Sequence, residues 1–147
     1  MKKILLCFLI ILLFPVGVDA LSKADKDLFY RAVEAEATEG GYEEKLRVAN
    51  VICNRVNNPA FPNSIRAVIT EKHTVKGKTY YQFCVVRDNR INKVKPSKDT
   101  VRAVNDALSG KWIMSDKVTF FNTKGLKSYA RRNHTYWGSD NIHDFFY

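Results

Sequence analysis

The sequence predicts an α+β fold in a single domain, with helices first and short strands after them. Apolar residues recur at helical spacing through much of residues 22–69 and again after residue 96. The other segments are rich in β-branched and aromatic residues, which favour strands. No internal repeat, low-complexity linker or second-domain boundary divides residues 21–147. This order of elements is typical of the α+β class.

The first two helices have clear start and stop signals. Ser22 followed by Asp25 predicts an N-cap with a capping acid three residues on, and the Gly-Gly pair at 40–41 predicts the end of the element. A second helix is predicted from Tyr42 to Val56, where an Asn-Asn-Pro sequence ends it.

Two further helices and several short strands complete the prediction. A third helix is predicted to end at Ile69, and a fourth begins after Pro96. A hairpin is predicted over residues 73–83, with its turn at 76–78. The other segments with strand-like composition are an extension of the hairpin at 85–86 and the stretches 118–121, 129, 136–137 and 145–147.

The composition is that of a folded and strongly basic protein. Its 147 residues are 46% hydrophobic, 12% aromatic and 27% charged, which excludes a disordered tail, a collagen-like fibre and a polytopic membrane protein. Lys and Arg number 24 against 15 Asp and Glu, giving a formal net charge of +9. A surface of this sign favours polyanions: nucleic acid, acidic lipid or an anionic envelope polymer.

Residues 1–20 predict a secretory signal peptide, which leaves residues 21–147 as the mature domain. Two lysines precede an apolar run from Ile4 to Phe14, and Val18-Asp19-Ala20 places small or β-branched residues where signal peptidase cleaves. The run is too short for a stable membrane span, and an uncleaved N-terminal anchor is the alternative. Exported proteins rarely meet DNA. The basic surface is therefore predicted to face anionic cell-wall polymers rather than nucleic acid.

Cys53 and Cys84 are the two cysteines of the mature domain. An even pair in an oxidising compartment permits a disulfide, and the alternative is two small buried apolar side chains. No Cys-x-x-Cys motif occurs, and the histidines are scattered at 73, 134 and 143. No metal site and no other cofactor are therefore predicted.

One carboxylate falls on the apolar face of the first helix. Glu36 lies three positions after Val33 and seven after Phe29, whereas Glu34 projects largely elsewhere. A buried carboxylate without partners is unstable when ionised, so it either finds donors or keeps its proton. An acid that stays protonated near neutral pH is suited to protonate the leaving oxygen in glycoside cleavage. The alternative is a structural glutamate at a half-buried helix end.

Several segments, taken in order, resemble the SleB/CwlJ family of cell-wall hydrolases. That family has a Glu-Ala-Arg-Gly-Glu segment at a helix end, where this chain has Glu36-Ala37-Thr38-Glu39-Gly40, so the second carboxylate of the motif is displaced or absent. The family's Val-x-x-Asn-Arg-Val helix corresponds to residues 51–56. Further matching segments, which follow in the family's order, are Phe61–Ile69, Gln82-Phe83, Phe120-Phe121-Asn122 and the closing His143 with Phe146-Tyr147.

The resemblance implies a lysozyme-like α+β domain that cuts peptidoglycan between N-acetylmuramic acid and N-acetylglucosamine. It also implies that Glu36 is the catalytic acid and that spore cortex is one candidate substrate. Two-acid hydrolysis would need a second carboxylate. The candidates that could approach Glu36 in the folded chain, which sequence spacing does not show, are Glu43, Asp88, Asp140 and Asp144. A lytic transglycosylase mechanism with one glutamate is therefore predicted.

Six further residues are candidates for substrate binding. Gln82 and Asn122 are predicted to bind acetamido groups, with turn closure as the alternative role. The aromatic candidates for stacking on sugar, for which core packing is the alternative, include Tyr81 and Phe83. Tyr42 is either a helix-start staple or a site residue, and His143 either orients a carboxylate or makes a structural hydrogen bond.

Nine cations between residues 72 and 102 suggest either a solvated face or an electrostatic hold on an anionic wall. They are Lys72, Lys76, Lys78, Arg87, Arg90, Lys93, Lys95, Lys98 and Arg102.

The sequence also permits two rival functions. One is a non-catalytic wall-binding module in which Glu36 is structural. The other is a secreted binder of nucleic acid or acidic lipid, which is disfavoured because the charges do not follow one amphipathic helix.

Overall fold

The described part of the chain contains six helices and five short strands. The computed structural model describes residues 21–147, and the predicted signal peptide at residues 1–20 lies outside them. The helices are α1 (Lys23–Glu36), α2 (Tyr42–Val56), α3 (Ile65–Ile69), α4 (Cys84–Arg87), α5 (Lys98–Leu108) and α6 (Tyr129–Asn133), with a 3-10 turn at Arg90–Asn92. The strands are β1 (Lys72–Val75), β2 (Lys78–Tyr81), β3 (Phe120–Thr123), β4 (Tyr136–Ser139) and β5 (His143–Phe146). The predicted α+β class is confirmed.

The predicted helix starts are confirmed where a side chain caps the helix. Ser22 Oγ accepts the Asp25 N–H at 3.0 Å, which begins α1. Ser97 Oγ accepts the Thr100 N–H at 3.3 Å in the same way at the start of α5. Helix α2 has the predicted bounds. These starts follow from contacts three residues apart, which sequence alone specifies.

Helix α2 is the centre of the fold. Nearly every residue between 45 and 55 is buried. On one side α2 packs with α1, α3 and α5 around the larger hydrophobic core. On the other side Val51 joins a smaller cluster with Met114, Val118 and Phe145, which attaches α2 to the sheet. Packing on both sides therefore fixes the position of α2 and of the side chains that it carries.

The strands form two separate antiparallel sheets. In the three-stranded sheet the order is β3–β5–β4, and all four residues of the central strand β5 are buried. The second sheet is the predicted hairpin of β1 and β2, whose residues are exposed except for half-buried Tyr81. Its turn has positive φ at Lys76 (50°) and Gly77 (74°), the geometry that favours glycine in a tight hairpin turn. No helix within residues 21–147 combines the length and apolar character needed to cross a bilayer.

Three local predictions were wrong. Residues 85–86 do not extend the hairpin but belong to α4, because a single helical turn buries Val85 completely. Tyr129 begins α6, since Ser128 Oγ accepts the Arg131 N–H and this cap overrides the strand preference of tyrosine. Both mature-domain cysteines are free: Cys53 is buried as expected, whereas Cys84 is exposed.

Candidate active site

Glu36 is the last residue of α1 and its side chain is half-buried. The backbone N–H of Val85 and the guanidinium groups of Arg90 and Arg55 lie close enough to act on its carboxylate. Burial raises the pKa of Glu36 from its ordinary 4.5 to about 7, although Arg90, the Val85 N–H and Arg55 all act in the opposite direction. Burial therefore favours the protonated form of Glu36 at pH values where an exposed glutamate is ionised.

Glu34 projects away from Glu36, as the helical spacing predicts, but it is also buried, with 6% exposure. Its carboxylate accepts hydrogen bonds from Ser97 N and Ser97 Oγ, both at 2.9 Å, and from Thr100 Oγ1, and Lys45 Nζ lies 3.4 Å away. Burial favours a raised pKa, but the hydrogen bonds from Thr100 and Ser97 outweigh it and the pKa of Glu34 is lowered. Glu34 is an ionised structural group, and Glu36 is the acid whose pKa is raised.

Arg55 is a buried cation beside Glu36, with 3% exposure. Its Nε donates to the Thr119 carbonyl at 2.7 Å. Burial lowers the pKa of Arg55 to about 10, while the charges of Glu71 and Glu36 oppose that change, so Arg55 stays protonated at neutral pH. The three rings around its guanidinium, with centroids 5.1–5.5 Å away, are Phe61, Phe83 and Phe120.

Glu71 is a second carboxylate near this cation, and the sequence analysis missed it. Its Oε1 pairs with His73 Nε2 at 3.0 Å, and its Oε2 is buried without a hydrogen-bond partner among the described residues. Glu71 and Glu36 therefore act on the same guanidinium, that of Arg55. Glu71 lies just after α3, outside any helical stripe, so the only sequence signal was an acidic residue beside the hairpin.

The four carboxylates considered as a second acid have other surroundings. Glu43 is exposed and pairs with an arginine one turn further along α2. Asp140 Oδ1 accepts backbone N–H groups of its own turn, and Asp144 accepts the Gly125 N–H at 2.7 Å. Asp88 forms an exposed ion pair, and it is the one of the four whose charge contributes to the raised pKa of Glu36.

Gly40 stands where the family motif has its second glutamate. A Cβ atom at this position would lie 2.8 Å from Glu44 Cβ and 3.0 Å from Ile142 Cδ1. The backbone of residue 40 therefore fits against α2 and the β4–β5 turn only without a side chain. The neighbouring Glu39 is exposed. Within this segment, Glu36 is the carboxylate that burial perturbs.

His143 and Phe83 both lie at the Glu36 site. The His143 imidazole is buried close to the Glu36 backbone, and its Nδ1 has no hydrogen-bond partner within residues 21–147. Burial lowers the pKa of His143, so the ring is neutral at neutral pH. Its ring centroid is 5.0 Å from that of Phe121, which in turn lies 6.1 Å from Phe83. Phe83 is only 2% exposed, so its ring packs beneath Arg55 instead of offering an open face. These contacts fix the end of α1.

Gln82 and Tyr81 lie at the end of the hairpin. The Gln82 side chain is exposed. The Gln82 backbone N–H donates to the Glu71 carbonyl at 3.1 Å, so Gln82 lies beside Glu71. Tyr81 is half-buried and pairs in register with Lys72.

Asn122 and Tyr42 make contacts elsewhere. Asn122 lies on β3, where its Oδ1 accepts from Ser128 Oγ and its Nδ2 donates to the Thr123 carbonyl at 2.7 Å. The Tyr42 hydroxyl donates to Asp106 Oδ2 at 2.5 Å, so this side chain contacts α5 and not Glu36.

The nine cations of the basic stretch are all exposed, in agreement with a solvated face. Arg90 is the one among them that lowers the pKa of Glu36, and Arg102 lies 4.3 Å from the centroid of the Tyr42 ring. Across residues 21–147, no three or more His, Cys, Asp or Glu side chains are grouped so that they could hold a metal ion.

Comparison with solved structures supports the fold. The catalytic domain of the germination-specific lytic transglycosylase SleB from Bacillus anthracis superposes with a TM-score of 0.72 at 24% identity, covering 89% of this chain and 100% of that one. The catalytic domain of the Bacillus cereus SleB protein gives a TM-score of 0.70 at 25% identity, covering 88% and 94%. The lysozyme-like α+β architecture implied by the sequence is thereby confirmed.

Comparison with known sequences gives the family. The spore cortex-lytic enzyme of Bacillus subtilis (strain 168) is 35% identical over 100 residues, which are 68% of this chain but 30% of that protein. The enzyme of the same name from Halalkalibacterium halodurans is 35% identical over 101 residues, or 69% and 28%. The chain thus matches about a third of the length of these relatives. A family model described as Cell Wall Hydrolase matches residues 39–146, beginning just after Glu36. The chain belongs to this cell wall hydrolase family.

Proposed function

We propose that this chain is exported and cleaves peptidoglycan glycan strands between N-acetylmuramic acid and N-acetylglucosamine, as a lytic transglycosylase with Glu36 as its one catalytic acid. The observation that carries the proposal is the place of Glu36 at the end of α1, beside the buried Arg55, where burial raises its pKa to about 7. Membership of the cell wall hydrolase family supports peptidoglycan as the substrate. The names of the similar proteins, which include cortex-lytic enzymes and a lytic transglycosylase, favour spore cortex as one form of it.

A single carboxyl group performs both proton transfers in this mechanism. Protonated Glu36 gives its proton to the glycosidic oxygen, and the bond from that oxygen to C1 of the muramic acid breaks, with the electron pair leaving on the N-acetylglucosamine oxygen. The carboxylate then accepts the proton of the 6-hydroxyl of the same muramic acid, whose oxygen bonds to C1. The product has a 1,6-anhydro end and no water is consumed.

The charges around Glu36 suit such a two-way proton transfer. Burial favours the protonated form of Glu36 near neutral pH, while Arg90 and Arg55 limit the rise in pKa so that the proton can still leave. After the first transfer the two guanidinium groups stabilise the carboxylate that has formed. The neutral His143 lies close to the Glu36 backbone and adds no positive charge.

The test is to digest purified peptidoglycan and cortex with the protein and with two variants. Glu36→Gln keeps the shape and removes the acid, and a rate about 10²–10⁴-fold lower is expected, the usual contribution of a general acid. Glu39→Gln is the matched control, because Glu39 is an exposed glutamate on the same segment, and its rate should equal that of the wild type. Circular dichroism checks that both variants are folded.

Mass analysis of the products distinguishes the two chemistries. Muramic ends that lack the mass of one water show 1,6-anhydro products and support the transglycosylase. Reducing ends that carry the added water would show hydrolysis and overturn this part of the proposal. Unchanged lytic activity in Glu36→Gln would overturn the assignment of Glu36 and favour a non-catalytic wall-binding module.

A further inference from the structure

A pocket of about 510 Å³ lies at the C-terminal end of α2, where the chain before β3 folds over it. Its volume falls in the range of about 300–1,000 Å³ that is typical of small-molecule sites. Its lining, which shares no residue with the surroundings of Glu36, consists of Asn54, Asn57, Asn58, Pro59, Trp112, Asp116 and Lys117. The pocket is therefore separate from the candidate active site and has no role in the mechanism above.

Asn54 is a buried amide in the wall of this pocket, with 2% exposure. Its Nδ2 donates to the carbonyls of Ser115 at 3.0 Å and Val118 at 2.8 Å. Its Oδ1 has no hydrogen-bond partner within residues 21–147. This oxygen is closed to solvent, so the role of Asn54 in the pocket is structural. Its two bonds to the carbonyls of the 115–118 segment hold the pocket wall against the end of α2.

Trp112 supplies an aromatic wall to the same pocket and is 41% exposed. Large aromatic side chains gain from covering their apolar faces, and those with one exposed face are enriched at binding surfaces. The opposite charges of Asp116 and Lys117 offset each other, so the lining does not select a polyanion. An aromatic face combined with the accessible amides of Asn57 and Asn58 suits a neutral ligand that has one apolar face and a rim of hydroxyl and amide groups.

We propose that this pocket is a second saccharide-binding site, which holds an N-acetylated glycan away from the point of cleavage. The apolar face of a sugar ring would lie on Trp112, while its hydroxyl and acetamido groups pair with the asparagine amides. The identity of the glycan as peptidoglycan rests on the proposed function. Binding of an acetamido sugar in this pocket does not depend on it.

The test is nuclear magnetic resonance of the ¹⁵N-labelled Glu36→Gln protein, titrated with an N-acetylglucosamine tetramer. The chain has two tryptophans, so each indole N–H signal can be assigned. We expect a saturable shift at Trp112 and none at Trp137, which packs against Phe145. A glucose tetramer without acetamido groups should bind more weakly. Absence of a saturable shift at Trp112, or equal binding of both tetramers, would overturn the proposal.

Variants separate this site from the active site. Trp112→Ala is expected to weaken tetramer binding about tenfold and to reduce retention on insoluble peptidoglycan. Tyr129→Ala, which removes a 66% exposed aromatic ring outside the pocket, is the matched control and should leave both unchanged. In the active background, Trp112→Ala should cleave short soluble glycans at the wild-type rate. A shift at Trp112 in a protein without lytic activity would support this site and overturn the proposed function.

Discussion

Replacement of Glu36 by glutamine should change how the stability of the protein depends on pH. The pKa of Glu36 is about 7 in the folded protein and 4.5 ordinarily, so between these values the folded state holds more protons than the unfolded state. Stability from this group is therefore complete below pH 4.5 and is lost as the pH rises through about 7. At about 1.4 kcal/mol per pH unit, the interval corresponds to about 3 kcal/mol. Glu36→Gln removes this dependence.

The assay is urea unfolding of the wild type and of Glu36→Gln at several pH values between 4.5 and 8. The unfolding free energy of the wild type, minus that of the variant, should fall by about 3 kcal/mol across this range. His143 acts with the opposite sign, because its lowered pKa makes stability fall as the pH drops below 6.5. Since both proteins contain His143, the subtraction removes most of its effect.

Glu39→Gln serves as the control, since this exposed glutamate lies on the same segment and its curve should follow that of the wild type. Parallel curves for the wild type and Glu36→Gln would refute the reasoning. They would mean that Glu36 ionises at its ordinary pH in the folded protein, and the acid required by the mechanism would be missing.

Three further outcomes are expected. Arg90→Gln should move the alkaline limb of the activity profile to higher pH, because Arg90 lowers the pKa of Glu36, while Arg87→Gln on the same surface should leave the limb in place. Glu34→Ala should lower the unfolding free energy by about 3 kcal/mol, measured by urea, because it leaves the buried Lys45 without its carboxylate. Binding of the Glu36→Gln protein to insoluble peptidoglycan should weaken between about 0.1 M and 1 M salt, since the Debye length falls from about 10 Å to 3 Å; equal binding would exclude an electrostatic hold.

The sequence predicted the long helices well because their signals are local. Ser22 and Ser97 cap helices through contacts three residues apart, and the bounds of α2 follow from its apolar stripe and the Asn-Asn-Pro stop. Of the short helices, α3 was predicted with its correct last residue, Ile69, whereas α4 and α6 were missed. In α4, Val85 is buried in a core formed by residues distant in sequence, and this burial favours a helical turn over a strand. Two adjacent valines in the sequence do not indicate which of the two forms.

The candidate site was predicted only where one helix determines it. Helical spacing singled out Glu36, but not its surroundings, because Arg55 and Arg90 come from other elements and approach it only in the folded chain. Glu71 likewise acts on Arg55 only after folding. The burial of Glu34 was missed similarly, since its donors Ser97 and Thr100 belong to the start of α5. The position of β5 in the middle of the sheet, between β3 and β4, likewise depends on pairing between segments that are separated in sequence.

Two glutamates on one helix reach opposite protonation states because they face different structural partners. Residues two apart on an α-helix point in nearly opposite directions, so Glu34 and Glu36 contact different elements. Glu34 meets the first turn of α5, where free N–H groups, the cap hydroxyl and the positive end of the helix dipole all favour a carboxylate. Glu36 is the final residue of α1, where the dipole of its own helix is negative and adds to the effect of burial. Only the two arginines and one backbone N–H act against this, so the last turn of α1 is well suited to hold a neutral acid.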